Sequence, residues 1–180
     1  MTQSDITAAK KYARAMIEVL AEKDQLDDGY EELVQLRQIF NDNPTLADTL
    51  QSSRTTDEQR QNLLKPILEN GSEFLVNLFN VINDYHRYDQ LVPIVDQFES
   101  LYDDQKSIVK ADVISATELT DDQQSRIADA FANRVGAKKV VLTTKTDKSL
   151  MGGVILRSED VIIDGSVKTR IEKVKEMLLN

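Results

Sequence analysis

The chain has 180 residues, with 22 Lys+Arg against 31 Asp+Glu, a formal net charge of −9 and a sequence pI near 4.7. That length suits one medium domain or two small ones, burying about 70% of the unfolded surface without a disulfide or metal staple. The absence of cysteine and the single histidine, His86, exclude disulfides, thiol nucleophiles, thiolate or His-rich metal centres and histidine relays, while the negative charge disfavours nucleic-acid phosphates as partners.

The chain opens Met1-Thr-Gln-Ser-Asp-Ile, without the basic start and apolar stretch of a signal peptide, and Asp5 and Glu18 argue against a transit peptide. No apolar run approaches the ~20 residues of a bilayer-spanning helix, so the residues alone point to an intracellular aqueous address with no direct membrane insertion. Apolar spacing is helical up to about residue 105, and β-branched runs appear only after it. Charge divides at the same place: residues 1–105 hold 9 basic and 20 acidic side chains, residues 106–180 hold 13 and 11. The expected fold is α+β, with a six-helix bundle over 1–105 and a smaller α/β domain with a four-strand sheet and two helices over 106–180.

Six helices parse in the first part. Ser4 caps a helix running to about Lys23, and a second spans about Asp27 to Phe40 with its acids at the favourable end of the dipole. Asn43-Pro44 opens a short third, and Thr55 with Glu58 fits a capping box for a fourth, which ends near Asn70-Gly71 and which Pro66 is expected either to bend or to break into a new turn. Ser72 caps a fifth that ends near His86, and the sixth runs from about Asp89 to Asp104. The second part reads strand 107–116, helix 120–135 with a Thr120/Gln123 capping box and Gly136 as its stop, then strands 139–146, 153–158 and 160–164. Ser158-Glu159 forms a tight link between the last two strands, and Ser166 caps a final helix over 166–179.

GxSxG, HExxH, GxGxxG and the P-loop pattern are all missing from the sequence, so it offers no catalytic, cofactor-binding or metal residue. His86 sits at a helix end, where an imidazole serves the dipole without doing acid–base work. Gly152-Gly153 reads as a bend or close approach at a strand entrance, and Asp164-Gly165-Ser166 as a strand-to-helix turn. The acidic pairs lack the alternation of a calcium loop.

The first helix is more informative. Ile6, Ala9, Ala13, Met16, Ile17 and Leu20 form one apolar stripe, enough to seat the helix on a core. Ala8, Tyr12, Ala15 and Val19 form a second beside it, giving an apolar arc of about 200°, where an ordinary surface helix shows about 100°. The fifth helix repeats the surplus, with Leu75, Phe79 and Ile82 flanked by Phe74, Leu78, Val81 and Tyr85. Two such helices side by side either lie centrally in their own bundle or leave a groove for a partner helix.

Several segments in this order resemble a known family: Tyr12-Ala13-Arg14-Ala15; His86-Arg87-Tyr88-Asp89-Gln90-Leu91 leading into Phe98-Glu99-Ser100-Leu101-Tyr102-Asp103; Ala111-Asp112-Val113-Ile114-Ser115-Ala116; and above all Asp147-Lys148-Ser149-Leu150-Met151-Gly152-Gly153-Val154-Ile155-Leu156-Arg157 with Asp164-Gly165-Ser166-Val167 and Arg170. Together they are similar to the delta subunits of F-type ATP synthases, relatives of the mitochondrial oligomycin sensitivity conferral protein (OSCP). The resemblance covers essentially the whole chain, departing at Ser158-Glu159, where a glycine turn is commoner.

The resemblance implies a non-catalytic stator subunit without cofactors, peripheral on the cytoplasmic side of the cell membrane, coupling proton-driven rotation to ATP synthesis. It implies that the six-helix domain receives the N-terminal helix of the alpha subunit in a groove between its first and fifth helices, and that the C-terminal domain faces the b subunit of the peripheral stalk. The groove residues expected are Ala8, Tyr12, Ala15, Val19, Leu78 and Val81. Val154, Ile162, Val174 and Leu178 read equally as core or as stalk-facing. The rival readings are a general helix-binding adaptor unrelated to a rotary enzyme and, more remotely, a small hydrolase using His86.

Overall fold

A computed structural model describes residues 3–179, with side chains described for 6–178. The chain divides into two compact units, Met1–Tyr102 and Asp103–Asn180, a few residues before the change in composition at 105.

The first unit contains α1 (Gln3–Glu22), α2 (Leu26–Asp42), α3 (Pro44–Gln51), α4 (Asp57–Asn70), α5 (Glu73–Asp84) and, after a single 3₁₀ turn at Tyr88–Gln90, α6 (Leu91–Lys106), whose last turn lies past the division. Position 4 falls inside α1, and the expected Ser4 cap lies outside the described side chains. The core is built from the spacing that made these segments helical: Ala9, Ala13, Met16 and Leu20 of α1, Leu33, Leu36 and Phe40 of α2, Leu75, Leu78, Phe79 and Ile82 of α5, and Leu91, Ile94, Val95 and Phe98 of α6 are buried. Ile6, placed in the buried stripe by its wheel position, is exposed instead, because it stands on the first turn of α1 and a wheel takes no account of where along the axis the core stops.

Two local expectations are corrected. The capping box of α4 is Thr56 with Gln59, one residue on from Thr55 with Glu58. Thr55 is engaged elsewhere, donating its hydroxyl to the Thr49 carbonyl at 2.6 Å. The Asn43 side chain does not cap α3; its amide turns back to the Ile39 carbonyl at the end of α2. Pro66 lies inside an unbroken α4, on an exposed face where water can serve the carbonyl deprived of its donor.

α2 and α6 share a polar seam. The Tyr30 and Tyr102 rings stack at 4.1 Å between centroids, Tyr102 donates its hydroxyl to Asp27, and Tyr30 donates to Glu99. Arg37 bridges Asp96 and Glu99. Burial pulls the Arg37 guanidinium down, but the two carboxylates outweigh it and hold it above its ordinary value. Buried Arg60 ties α4 to the end of α3, donating through Nε to the Leu50 carbonyl at 2.8 Å, through Nη2 to the Ser52 carbonyl and through Nη1 to Asp57.

The second unit is a four-strand mixed sheet in the order β2-β1-β3-β4, with β1 (Ile108–Ser115), β2 (Lys139–Thr146), β3 (Val154–Arg157) and β4 (Ile162–Asp164). β1 runs parallel to β2 and antiparallel to β3, so α7 (Asp121–Val135) makes the crossover a parallel pair requires. Thr120 and Gln123 form the expected capping box, and Gly136 closes α7 with φ +72°. The core is Ala111, Val113, Phe131 and Leu156, with Val154 among the residues packed against it. The turn between β3 and β4 is longer than the dipeptide expected: Arg157 pairs with Ile162, and Ser158 closes the four-residue loop by donating its N–H to the Val161 carbonyl. The last helix is α8 (Val167–Leu179).

Candidate functional site

The glycine motifs of the second unit turn out to meet each other. Gly153 has φ +77°, and a Cβ there would stand 2.3 Å from the Gly165 carbonyl oxygen. Gly165 donates to the Val154 carbonyl and Val167 to the Gly152 carbonyl, so the two segments are laced backbone to backbone. Asp164 completes the corner: Oδ1 accepts from the Ser166 N–H and Oδ2 from the Thr169 hydroxyl, while Ser166 Oγ accepts from the Thr169 N–H. These bonds, led by the one from the Ser166 backbone, hold the Asp164 carboxyl below its ordinary value. Asp147 is lowered likewise by its bonds from Ser149. The close approach that glycine permits is the observed role of both motifs, and the assembly launches α8.

α8 carries the largest uncovered apolar stripe of this unit. Val167, Ile171, Val174 and Leu178 recur at i, i+4, i+7 and i+11 and are all exposed, Leu178 at 81%. Ile162 is exposed as well. Of the four residues left open by the sequence, only Val154 packs on the core.

In the first unit the six groove residues fall into three groups. Ala15, Val19 and Val81 are exposed, the last two at 45% and 39%. Ala8 and Tyr12 are half-buried. Leu78 is 6% exposed and belongs to the core. Leu20 near the end of α1 and Phe74 at the start of α5 line one cleft together with Asp28, Gly29, Glu31 and Glu32 of α2. Tyr85, one turn beyond Val81, is also exposed.

His86 is exposed with φ +50°, its carbonyl accepting from the Gln51 amide. It borders a cleft with Arg60, Asn83 and Tyr88, where Arg60 donates to its three acceptors and Tyr88 to Asn83, and no nucleophile–base hydrogen bond joins His86 to them among the described residues. Among the described residues no group of His, Asp and Glu is placed to hold a metal ion, and no helix is long and apolar enough to cross a membrane.

Comparison with known proteins places this architecture. Residues 8–178 match the family model described as ATP synthase delta (OSCP) subunit. The chain is 42% identical over 180 residues to the ATP synthase subunit delta of Lactiplantibacillus plantarum, covering 100% of this chain and 99% of that one. It is 36% identical over 179 residues to that of Pediococcus pentosaceus, covering 99% of each. A chain in the cryo-EM structure of the Toxoplasma gondii mitochondrial ATP synthase hexamer has the same fold, with a TM-score of 0.68, 20% identity and coverage of 100% of this chain and 99% of that chain. With the family model matched over residues 8–178 and relatives matched over their full length, the chain belongs to the ATP synthase delta (OSCP) subunit family.

Proposed function

We propose that the helical unit grips the N-terminal helix of the alpha subunit with the exposed flanks of α1 and α5, while the second unit engages the b subunit of the peripheral stalk through the α8 stripe. As a delta subunit the chain is a non-catalytic stator component of the F-type ATP synthase and part of a membrane-associated complex. Its position on the cytoplasmic side of the cell membrane belongs to the proposal.

The observation that carries this reading is the pair of apolar surfaces that their own units leave uncovered: Ala15, Val19 and Val81 in one, Ile171, Val174 and Leu178 in the other. An amphipathic helix laid in an apolar groove is a common recognition mode. Rotation does work only if the catalytic head is held against the rotor. A protein that binds head and stalk at once raises each partner's effective concentration for the other, so neither contact must be extremely tight alone.

The deciding experiment is reconstitution. Catalytic heads stripped of this subunit should rebind stripped membranes, and proton-driven ATP synthesis should return, only when the protein is added back. Undiminished coupling without it would overturn the proposal, and recovery of helical partners from outside the synthase alone would favour the general adaptor.

A further inference from the structure

We infer that Asn70 is a site of self-catalysed deamidation, set by the backbone at the junction of α4 and α5. Three of the six glycines follow Asp or Asn: Asp28-Gly29, Asn70-Gly71 and Asp164-Gly165. Each pair has the chemistry for succinimide closure, in which the glycine nitrogen attacks the preceding side-chain carbonyl carbon. Two of the nitrogens are restrained: Gly29 donates to the Gln25 carbonyl at 3.0 Å and Gly165 to the Val154 carbonyl at 2.9 Å. Gly71, where α4 gives way to extended backbone at φ −83° and ψ 156°, has no such hydrogen bond among the described residues. Asn70 is exposed on the last turn of α4, its Nδ2 donating to the Pro66 carbonyl.

Glycine is held at 71 by packing. A Cβ there would stand 2.7 Å from Leu75 Cδ2 and 2.9 Å from the Ile67 carbonyl oxygen, so a bulkier residue that would slow the attack does not fit without a shift. In the reaction the Gly71 nitrogen bonds to Asn70 Cγ, the Cγ–Nδ2 bond breaks, and ammonia leaves with the proton given up by the Gly71 amide. Water then opens the ring at either carbonyl, giving aspartate or isoaspartate. Either product sets a new carboxylate at the negative end of the α4 dipole. Isoaspartate also lengthens the main chain just before Ser72, which caps α5 and whose N–H is fastened to Glu32.

The test is ageing of the full chain in mildly alkaline buffer, followed by intact mass and peptide mapping. Asn70 should gain one mass unit with a rate that rises with pH, at least about tenfold faster than Asn62 or Asn77 within α4 and α5, because each of those is followed by a bulky leucine whose nitrogen is tied into the helix, a bond of about 1 kcal/mol that alone is worth about fivefold. Asn70→Gln, which closes only a slower six-membered ring, should abolish the fast phase while circular dichroism remains unchanged. Conversion of Asn70 no faster than that of the other two, or a fast phase that survives Asn70→Gln, would overturn the assignment.

Discussion

Leu78 and Val81 stand three residues apart on α5, yet one is core and the other surface. The difference sorts the two kinds of experiment that the proposed groove invites. Leu78→Ala removes buried volume and should cost about 2–5 kcal/mol of stability in urea unfolding. Ala15→Trp, at an exposed position, should leave the unfolding midpoint within ~0.5 kcal/mol and weaken head binding by ~2 kcal/mol or more if the face is a desolvated anchor. Unchanged affinity in a folded Ala15→Trp protein would remove α1 from the interface. Arg60 offers a separate check on the bundle. Its planar fork reaches two carbonyls and a carboxylate at once, which the single ammonium of lysine cannot do. Arg60→Lys should destabilise by about 1–3 kcal/mol through unsatisfied acceptors, and a denaturation curve that overlays the parent would refute that account. The helical wheels show the extra apolar width, but Leu78 stands at the edge of its stripe nearest Leu75, Phe79 and Ile82 and is buried with them, and only packing decides how much of such an arc is covered.

Among the elements, most were legible because short-range chemistry specifies them. The Ser72 cap, the Thr120/Gln123 box and the left-handed Gly136 stop occur where residue type and spacing put them. Misplacements came where two adjacent patterns competed. Thr55-x-x-Glu58 and Thr56-x-x-Gln59 fit the same rule, and the contest was decided by a tertiary bond from Thr55 to Thr49 that spacing does not encode. The start of α8 yields a pH prediction. The Asp164 carboxyl titrates lower in the folded chain than in the unfolded one, so its contribution is fully present above the unfolded value of about 4 and disappears as pH falls through the folded value. Acid unfolding of Asp164→Asn should therefore show less loss of stability between neutral pH and pH ~3 than the parent. Identical pH dependence would remove Asp164 from that role.

Across the whole chain, the switch near residue 105 from helical spacing to β-branched runs is legible in the sequence, whereas the side of a wide apolar arc that stays uncovered is not, since exposure is a property of the completed packing. The α8 stripe shows this: by spacing alone Val174 and Leu178 fit a core face as well as a surface one, and the folded helix leaves that side bare. Ile171→Asp with Val174→Asp should abolish binding to the stalk subunit while head binding persists, and pull-downs with each partner separate the two effects. Loss of both would point to misfolding, and retention of stalk binding would move the interface off α8.

The position of β1 at the centre of its sheet has a consequence for biosynthesis. It is the earliest strand made, yet its neighbours β2 and β3 begin only at Lys139 and Val154. Helical segments form from nearby contacts, whereas strand pairing at such separations is slow. During translation β1 therefore waits with both edges bare until β2 and β3 are made, an interval in which the nascent chain is open to edge-to-edge aggregation.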